Sequence, residues 1–336
     1  MNSNKGNLVK SIKDYLKLGR LFGAATIYAC ILIGALTSTA NITLLDAGKL
    51  LLIAIFSHAF MGAMNEYCNI EEDKNNPQYK YKPLVKGDIT PRNALIFILF
   101  CFIMMILLSV VFYPTLLSLS AIFLATVVGT FYNIKGKYIA WTYDFILSSG
   151  ASFLVIYGAT TRGEITSITI VAAICAFFIV VYSEWINGMK DVDIDRKFNV
   201  PTTAVRWGYS HDKHISLKDP NFLYFIWIVI SIDIVYSMPF LLHLLSPTYF
   251  YIFLFIGIPV QCCLIYILLG KQDKENLRLH PILFLGIMNF LAFVLVIDKI
   301  MIWGVLITVA FILGWYYVFS LFGVSFSREQ SIIHPK

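Results

Sequence analysis

Apolar stretches long enough to cross a bilayer recur along this chain, near residues 21–38, 44–64, 93–112, 115–132, 141–160, 166–186, 221–242, 248–269, 281–297 and 300–322. A hydrocarbon core about 30 Å thick needs about 17–25 apolar residues in a helix. Lipid offers no partner for a bare backbone amide, so such segments have to be helical. The pattern therefore specifies an all-α membrane protein. Composition agrees: 58% of residues are hydrophobic, only 14% are charged, and the mean hydropathy is +0.75. Soluble domains carry roughly a quarter charged residues. No polar linker divides the apolar run, so a single transmembrane domain is expected over 21–322, between a polar segment 1–20 and a tail 323–336. The last two stretches are separated only by Asp298-Lys299 and read either as two short spans or as one bent hairpin.

The charges orient the spans. With ten spans and a cytoplasmic N-terminus, 23 of the 26 Lys and Arg residues fall in cytoplasmic segments (1–20, 65–92, 133–140, 187–219, 270–280 and 323–336), leaving Lys49, Arg162 and Lys299. That follows the positive-inside rule. The net charge of +6 is distributed between apolar segments rather than gathered in a patch, which argues against a nucleic-acid partner and for the lipid bilayer. The six cysteines (Cys30, Cys68, Cys101, Cys175, Cys262 and Cys263) lie in or beside apolar segments without metal-type spacing and read as inert thiols. No small-residue cleavage site follows the first apolar run, so no removable signal peptide is expected.

The two longest cytoplasmic loops, 65–92 and 187–219, each open on an acidic cluster. The first reads Asn65-Glu66-Tyr67-Cys68-Asn69-Ile70-Glu71-Glu72-Asp73, the second Asn187-Gly188-Met189-Lys190-Asp191-Val192-Asp193-Ile194-Asp195-Arg196. Oxygen-bearing side chains recur at i, i+4 and i+8 in both: Asn65, Asn69 and Asp73, then Asn187, Asp191 and Asp195. On a helix this stacks three ligands along one face, about 6 Å apart. Mg2+ takes oxygen ligands, usually one or two carboxylates completed by substrate phosphate and water. Asp73, Asp191 and Asp195 are therefore the candidate catalytic and metal-binding carboxylates, while Asn65, Asn69 and Asn187 offer uncharged oxygens. Cations flank both clusters: Lys80, Lys82 and Lys86 after the first, Lys190, Arg196 and Arg206 around the second, with Lys135 and Lys137 behind Tyr132 on a third loop. Metal and Arg/Lys together stabilise a departing diphosphate, and aromatic faces stabilise the carbocation left behind. The pattern points to ionisation of an allylic diphosphate. Glu71, Glu72 and Asp193 fall on other helical faces and read as solvated. Glu184 lies one turn before Asn187 and within reach of the same site. Asp233 sits inside an apolar span, where an ionisable group is costly; it reads as functional or as hydrogen-bonded to a neighbouring helix.

At these residues the sequence resembles the UbiA superfamily of intramembrane prenyltransferases. The superfamily's first motif, NDxxDxxxD followed by a basic stretch, a Pro and Gly-x-Ile-Ser/Thr, is matched by Asn65 to Asp73, Lys80, Lys82-Pro83-Leu84 and Gly87-Asp88-Ile89-Thr90. Its second, NDxxDxxxDR with a trailing Thr-Leu-Ala-Val-Arg-x-Gly-like segment, is matched by Asn187 to Arg196 and Thr203-Ala204-Val205-Arg206-Trp207-Gly208. Arg20, and Tyr132 with Lys135, lie where the superfamily often has an Arg and a Tyr…Lys. The resemblance implies a bundle of nine to ten transmembrane helices around a central cavity. It implies Mg2+ held by the two motifs, an isoprenyl diphosphate donor, and transfer of the prenyl group to a small acceptor, often aromatic. It also implies that Arg20, Lys82, Lys135 and Arg196 contact the diphosphate, and Lys190, beside the second cluster, is a further candidate for that contact. Three positions depart from the pattern: Glu66 and Asn69 where Asp is usual, and Gly188 where Asp is common. An amide at 69 removes a charge from one metal site, so weaker Mg2+ binding is expected there, with Glu66 or Glu72 as the compensating carboxylate.

Two other readings stay open. A terpene cyclase on the same scaffold would ionise the donor and capture the cation with the donor's own double bond. A transporter or membrane scaffold would bind cations at the acidic clusters; it predicts broken helices or repeat symmetry with charges near the midplane, and no internal repeat is evident.

Overall fold

A computed structural model describes residues 2–76, 79–140, 143–211, 215–268, 288 and 290–321. The first half of the expected span 281–297, the loop 270–280 and the tail 323–336 lie outside the described residues. Among the described residues all regular structure is helical: α1 (Asn2–Leu18), α2 (Ala24–Thr37), α3 (Leu44–Cys68), α4 (Ile70–Lys74), α5 (Pro83–Lys86), α6 (Pro91–Phe112), α7 (Leu116–Ile134), α8 (Tyr143–Thr160), α9 (Ser167–Lys190), α10 (Val192–Lys197), α11 (Thr203–Arg206), α12 (Pro220–Leu241), α13 (Pro247–Ile252), α14 (Ile258–Leu268) and α15 (Ile297–Leu321). Six of these, α3, α6, α7, α9, α12 and α15, are long and apolar enough to cross a membrane; a helix pair bent by 56° at residues 19–20 makes a seventh. The chain is a multi-pass integral membrane protein. Its lipid-facing side is itself apolar: along α6, Leu95, Leu99, Ile103 and Leu107 are each about half exposed.

Local chemistry sets the ends. Thr43, Thr90, Thr115 and Thr166 cap α3, α6, α7 and α9 by accepting a backbone N–H three residues on, and Pro91 and Pro220 occupy the first turns of α6 and α12. Two expected boundaries differ. The stretch 248–269 is interrupted by a π-helical turn, Phe253–Gly257, between α13 and α14. Asp298-Lys299 lies in the first turn of α15, just after a turn at Leu295-Val296, and α15 itself departs from helical geometry at Met301, with φ 57° and ψ 166°.

The three cations that break the charge pattern each have a local partner. Lys299 Nζ donates to the Ser38 carbonyl just past the end of α2, and Arg162 Nη2 donates to the Asn41 carbonyl at 2.7 Å. The first satisfies a backbone oxygen left over at the C-terminus of α2, and the second satisfies one in the connection between α2 and α3. Lys49 Nζ sits over the Phe112 ring, 5.4 Å from its centroid.

The chain divides into two compact units. One comprises Met1–Ala29, Thr43–Pro114 and Ala310–Lys336; the other comprises Cys30–Ile42 and Thr115–Val309. In the first, α3 packs along α6. Its small core joins Leu18, Ala59, Phe60, Ala63, Leu84 and Ile89, so the loop after the first acidic cluster is anchored by its own apolar residues. In the second, α7, α8, α9 and α12 pack in sequence. The 30–37 part of α2 lies directly on α8 through two glycines. A Cβ at Gly34 would fall 1.9 Å from the Val155 carbonyl oxygen, and one at Gly158 would fall 1.9 Å from that of Ile31. Close backbone approach through small residues is a usual way for helices to associate in lipid. We expect Gly158→Leu to destabilise the protein by about 2–3 kcal/mol, seen as a lowered unfolding temperature in detergent. Gly314→Ala, at a position with nothing within 4 Å of the added carbon, is expected to leave that temperature unchanged.

Candidate active site

Both acidic motifs share a local backbone that their spacing alone does not show. A continuous helical face was expected, yet each motif breaks the helix at its middle residue. Asn69 ends α3 with φ −97° and ψ 7°, and Asp191 ends α9 with φ −99° and ψ 9°. The i to i+4 bonds survive the break: Asn69 N donates to Asn65 O, Asp73 N to Asn69 O, Asp191 N to Asn187 O, and Asp195 N to Asp191 O, at 2.8–3.1 Å. Asn and Asp readily take such helix-end conformations because their side chains compete for nearby backbone groups.

In the first unit the motif is a closed ion-pair cluster. Glu66 Oε1 accepts from Arg20 Nε at 2.6 Å and lies 3.1 Å from Lys82 Nζ. Lys82 Nζ also donates to Asp73 Oδ2 at 2.7 Å and sits 4.2 Å from the Tyr79 ring centroid. Burial pushes the Asp73 carboxyl above its ordinary range, against the pull of Lys82. Arg20 is held by a left-handed backbone, φ 48° and ψ 37°, and by His58, whose Nε2 donates to the Arg20 carbonyl at 3.0 Å. Gly62 makes this possible. A Cβ there would stand 2.6 Å from the Gly19 carbonyl oxygen, so the turn at 19–20 lies directly on α3, one helical turn from Glu66. Asn69 Nδ2 donates to Asn65 Oδ1 at 3.3 Å. The Gly87-Asp88-Ile89-Thr90 segment does structural work: Gly87 has φ 80°, Asp88 accepts from Lys10 at 2.9 Å, Ile89 is buried and Thr90 caps α6.

In the second unit Asp191 and Asp195 stand one turn apart and are both partly accessible. Lys190 Nζ donates to Asn187 Oδ1 at 3.3 Å and lies 3.6 Å from Asp191 Oδ2. Arg196 donates through Nη2 to the Tyr209 carbonyl. Gly188 packs closely on the segment leading into α11: a Cβ there would come 3.2 Å from Thr202 Cβ, so a larger side chain would need Thr202 to give by a few tenths of an ångström. That segment is pinned by Asp144, which accepts from Thr203 Oγ1 at 2.5 Å and from Tyr224 Oη at 3.0 Å. Tyr132 Oη donates to the buried Glu184 Oε2 at 2.6 Å. Glu184 was within the sequence's reach; Asp144 was not, since it opens α8 with no motif around it. Lys135 is exposed whereas Lys137, two residues on, is buried. Rings crowd this unit, with Trp185 stacked on Phe225 at 5.6 Å and Tyr224 on Trp227 at 5.5 Å. Asp193 is exposed, with His211 Nε2 at 3.9 Å from its carboxylate, and Asp233 interacts with Gln261 of α14.

The motifs differ in fitness for Mg2+. Asp191, Asp195 and Asn187 suit a hard cation whose shell is completed by phosphate oxygens. Among the described residues no three His, Cys, Asp or Glu side chains form a ready-made cage. Asn65, Asn69 and Asp73 do not fit as arranged, because Lys82 already lies on the Asp73 carboxylate.

The UbiA prenyltransferase family model matches residues 25–288. Digeranylgeranylglyceryl phosphate synthase from Korarchaeum cryptofilum (strain OPF8) is 23% identical over 275 residues, covering 77% of this chain and 91% of that protein. A structure of a digeranylgeranylglyceryl phosphate synthase in membranes has a TM-score of 0.66 at 20% identity, covering 86% of this chain and 99% of the other. A UbiA homologue from Archaeoglobus fulgidus, bound to GPP and Mg2+, has a TM-score of 0.64 at 17% identity, covering 84% and 99%. The expected all-helical membrane fold is thus the fold of solved UbiA structures. The chain belongs to the UbiA prenyltransferase family and is an integral-membrane prenyltransferase.

Proposed function

We propose that this protein uses Mg2+ to transfer a prenyl group from an isoprenyl diphosphate to a small acceptor on the cytoplasmic side of the bilayer, with the acidic and basic side chains of the two motifs as the groups that act on the donor. One observation carries this reading: two acidic segments with matching helix breaks, each set among Lys and Arg. Relatives whose names or bound ligands specify prenyl chemistry support it.

Asp191 and Asp195, with Asn187, would hold Mg2+, which when bound neutralises diphosphate charge as a Lewis acid. Arg20 and Lys82 from the first motif, and Lys190 and Arg196 from the second, supply fixed positive charge where the leaving group's charge builds. Lys137, being buried, suits that role better than Lys135. Breaking the allylic C–O bond leaves a cation that is protected by an apolar surface poor in water, and the stacked Tyr224 and Trp227 rings, which keep accessible surface, offer such faces. Tyr132 and Glu184 fix one another, and Asp144 fixes the Thr203–Arg206 turn behind the second motif.

The acceptor is tested by mass spectrometry of products from purified protein, Mg2+ and geranyl or geranylgeranyl diphosphate. Parallel reactions contain a prenylated glyceryl phosphate, an aromatic acceptor, or no acceptor. We expect a prenylated adduct only where an acceptor is present. A cyclic hydrocarbon or alcohol formed from donor alone would replace this reading with cyclisation.

A further inference from the structure

The first motif departs from its family pattern in a concerted way. It has one carboxylate at the expected ligand positions, Asp73, because Asn65 and Asn69 are amides. That carboxylate is buried and bonded to an ammonium, Lys82, whose side chain is only 6% exposed. Glu66, the other departure, is equally buried and is shared by Arg20 and Lys82. Two carboxylates thus face two cations and the cluster is neutral as it stands. A divalent cation at Asp73 would have to expel Lys82 from its partners and leave an ammonium without its counter-charge in a dry site, which is strongly unfavourable. The reward would be small, because an amide at 69 contributes a dipole in place of a charge. The Asn69 amide also donates to Asn65 Oδ1, which turns the two side chains toward each other. The second motif is more open: Asp191 keeps 29% of its side chain exposed, and Lys190, itself 25% exposed, lies 3.6 Å from the Asp191 carboxylate while donating to Asn187 Oδ1.

We infer that Lys82 takes the place of a metal ion at the first motif, so that this chain engages its donor with a single divalent cation, held at the second motif. Glu66 is the positioning residue for this substitution. Its extra methylene, relative to Asp, lets one carboxylate contact both Arg20 and Lys82. The substituted cation is permanent, so the first motif's contribution to diphosphate binding does not depend on metal concentration. This inference rests on the proposed donor and on metal at Asp191, and the test separates the two.

The experiment counts Mn2+ by electron paramagnetic resonance on the full chain in detergent, with geranyl thiolodiphosphate, a donor analogue whose C–S bond resists ionisation. One Mn2+ per chain with an uncoupled six-line spectrum is expected. Asp191→Asn is expected to lower its affinity at least about tenfold, whereas Asp73→Asn leaves the count at one. Two Mn2+ per chain, or a spin-coupled pair, would overturn the inference, as would loss of the single ion in Asp73→Asn. No Mn2+ at all, or binding indifferent to Asp191→Asn, would overturn the proposed metal site itself and the inference with it. The wild-type count needs no variant to fold. A gain-of-site double variant, Asn69→Asp with Lys82→Met, is expected to raise the count to two.

Discussion

Asp191→Ala is expected to slow diphosphate release from a prenyl donor by about 10³-fold or more, equivalent to about 4 kcal/mol of transition-state stabilisation. The carboxylate ends α9 at the helix break, where it is partly accessible and one turn from Asp195. Its loss removes charge from the motif proposed to hold the divalent cation, so raising Mg2+ should recover little of the rate. Asp195→Ala is expected to behave alike. Asp193→Ala is expected to remain within about twofold of wild type, since its side chain is 57% exposed and surface substitutions usually cost little. The measurement is steady-state release of diphosphate by purified variants at saturating Mg2+. An Asp191→Ala enzyme turning over at the wild-type rate would exclude metal at this position.

The second large effect is on stability. Glu66→Ala is expected to cost about 3–5 kcal/mol, the penalty for removing one member of a buried ion-pair cluster. It leaves Lys82, 6% exposed, with Asp73 alone, and Arg20 without the 2.6 Å contact that holds its side chain. Glu66→Gln keeps a hydrogen-bond acceptor for one cation and should cost less. Glu66→Asp, which restores the residue usual in the family, should still be worse than wild type, because the shorter side chain reaches Arg20 or Lys82 but not both. Thermal unfolding in detergent ranks the three. A Glu66→Asp protein as stable as wild type would mean that the shared contact contributes little.

The membrane fold was legible in the sequence because lipid allows so few backbone solutions: apolar runs of sufficient length had to be helices. The interruptions were harder to read. Nothing in the composition of 248–269 distinguishes a straight helix from one with a π turn at Phe253–Gly257. The break at Met301 falls in an apolar run, while the polar pair that suggested a loop is accommodated because Lys299 finds the Ser38 carbonyl. At the candidate site, spacing identified the ligand-bearing positions but not the pairing among them. Glu66 looked like a conservative change from Asp, and only the positions of Arg20, carried on a left-handed turn, and Lys82, sixteen residues on, show that it serves two cations. Gly188, a departure from the family pattern in sequence, packs closely against Thr202. Asp144 carried no signal, because its partners Thr203 and Tyr224 lie 59 and 80 residues away.

Equilibrium binding of radiolabelled geranyl thiolodiphosphate, in the presence of Mg2+, shows whether each motif takes part in holding the donor. One molecule bound per chain is expected. Affinity about tenfold weaker or more is expected in Lys82→Gln and in Asp191→Asn alike, as for losing a charge-assisted hydrogen bond or a metal ligand. Two independent sites, or full affinity when either motif is altered, would rule out the proposed function.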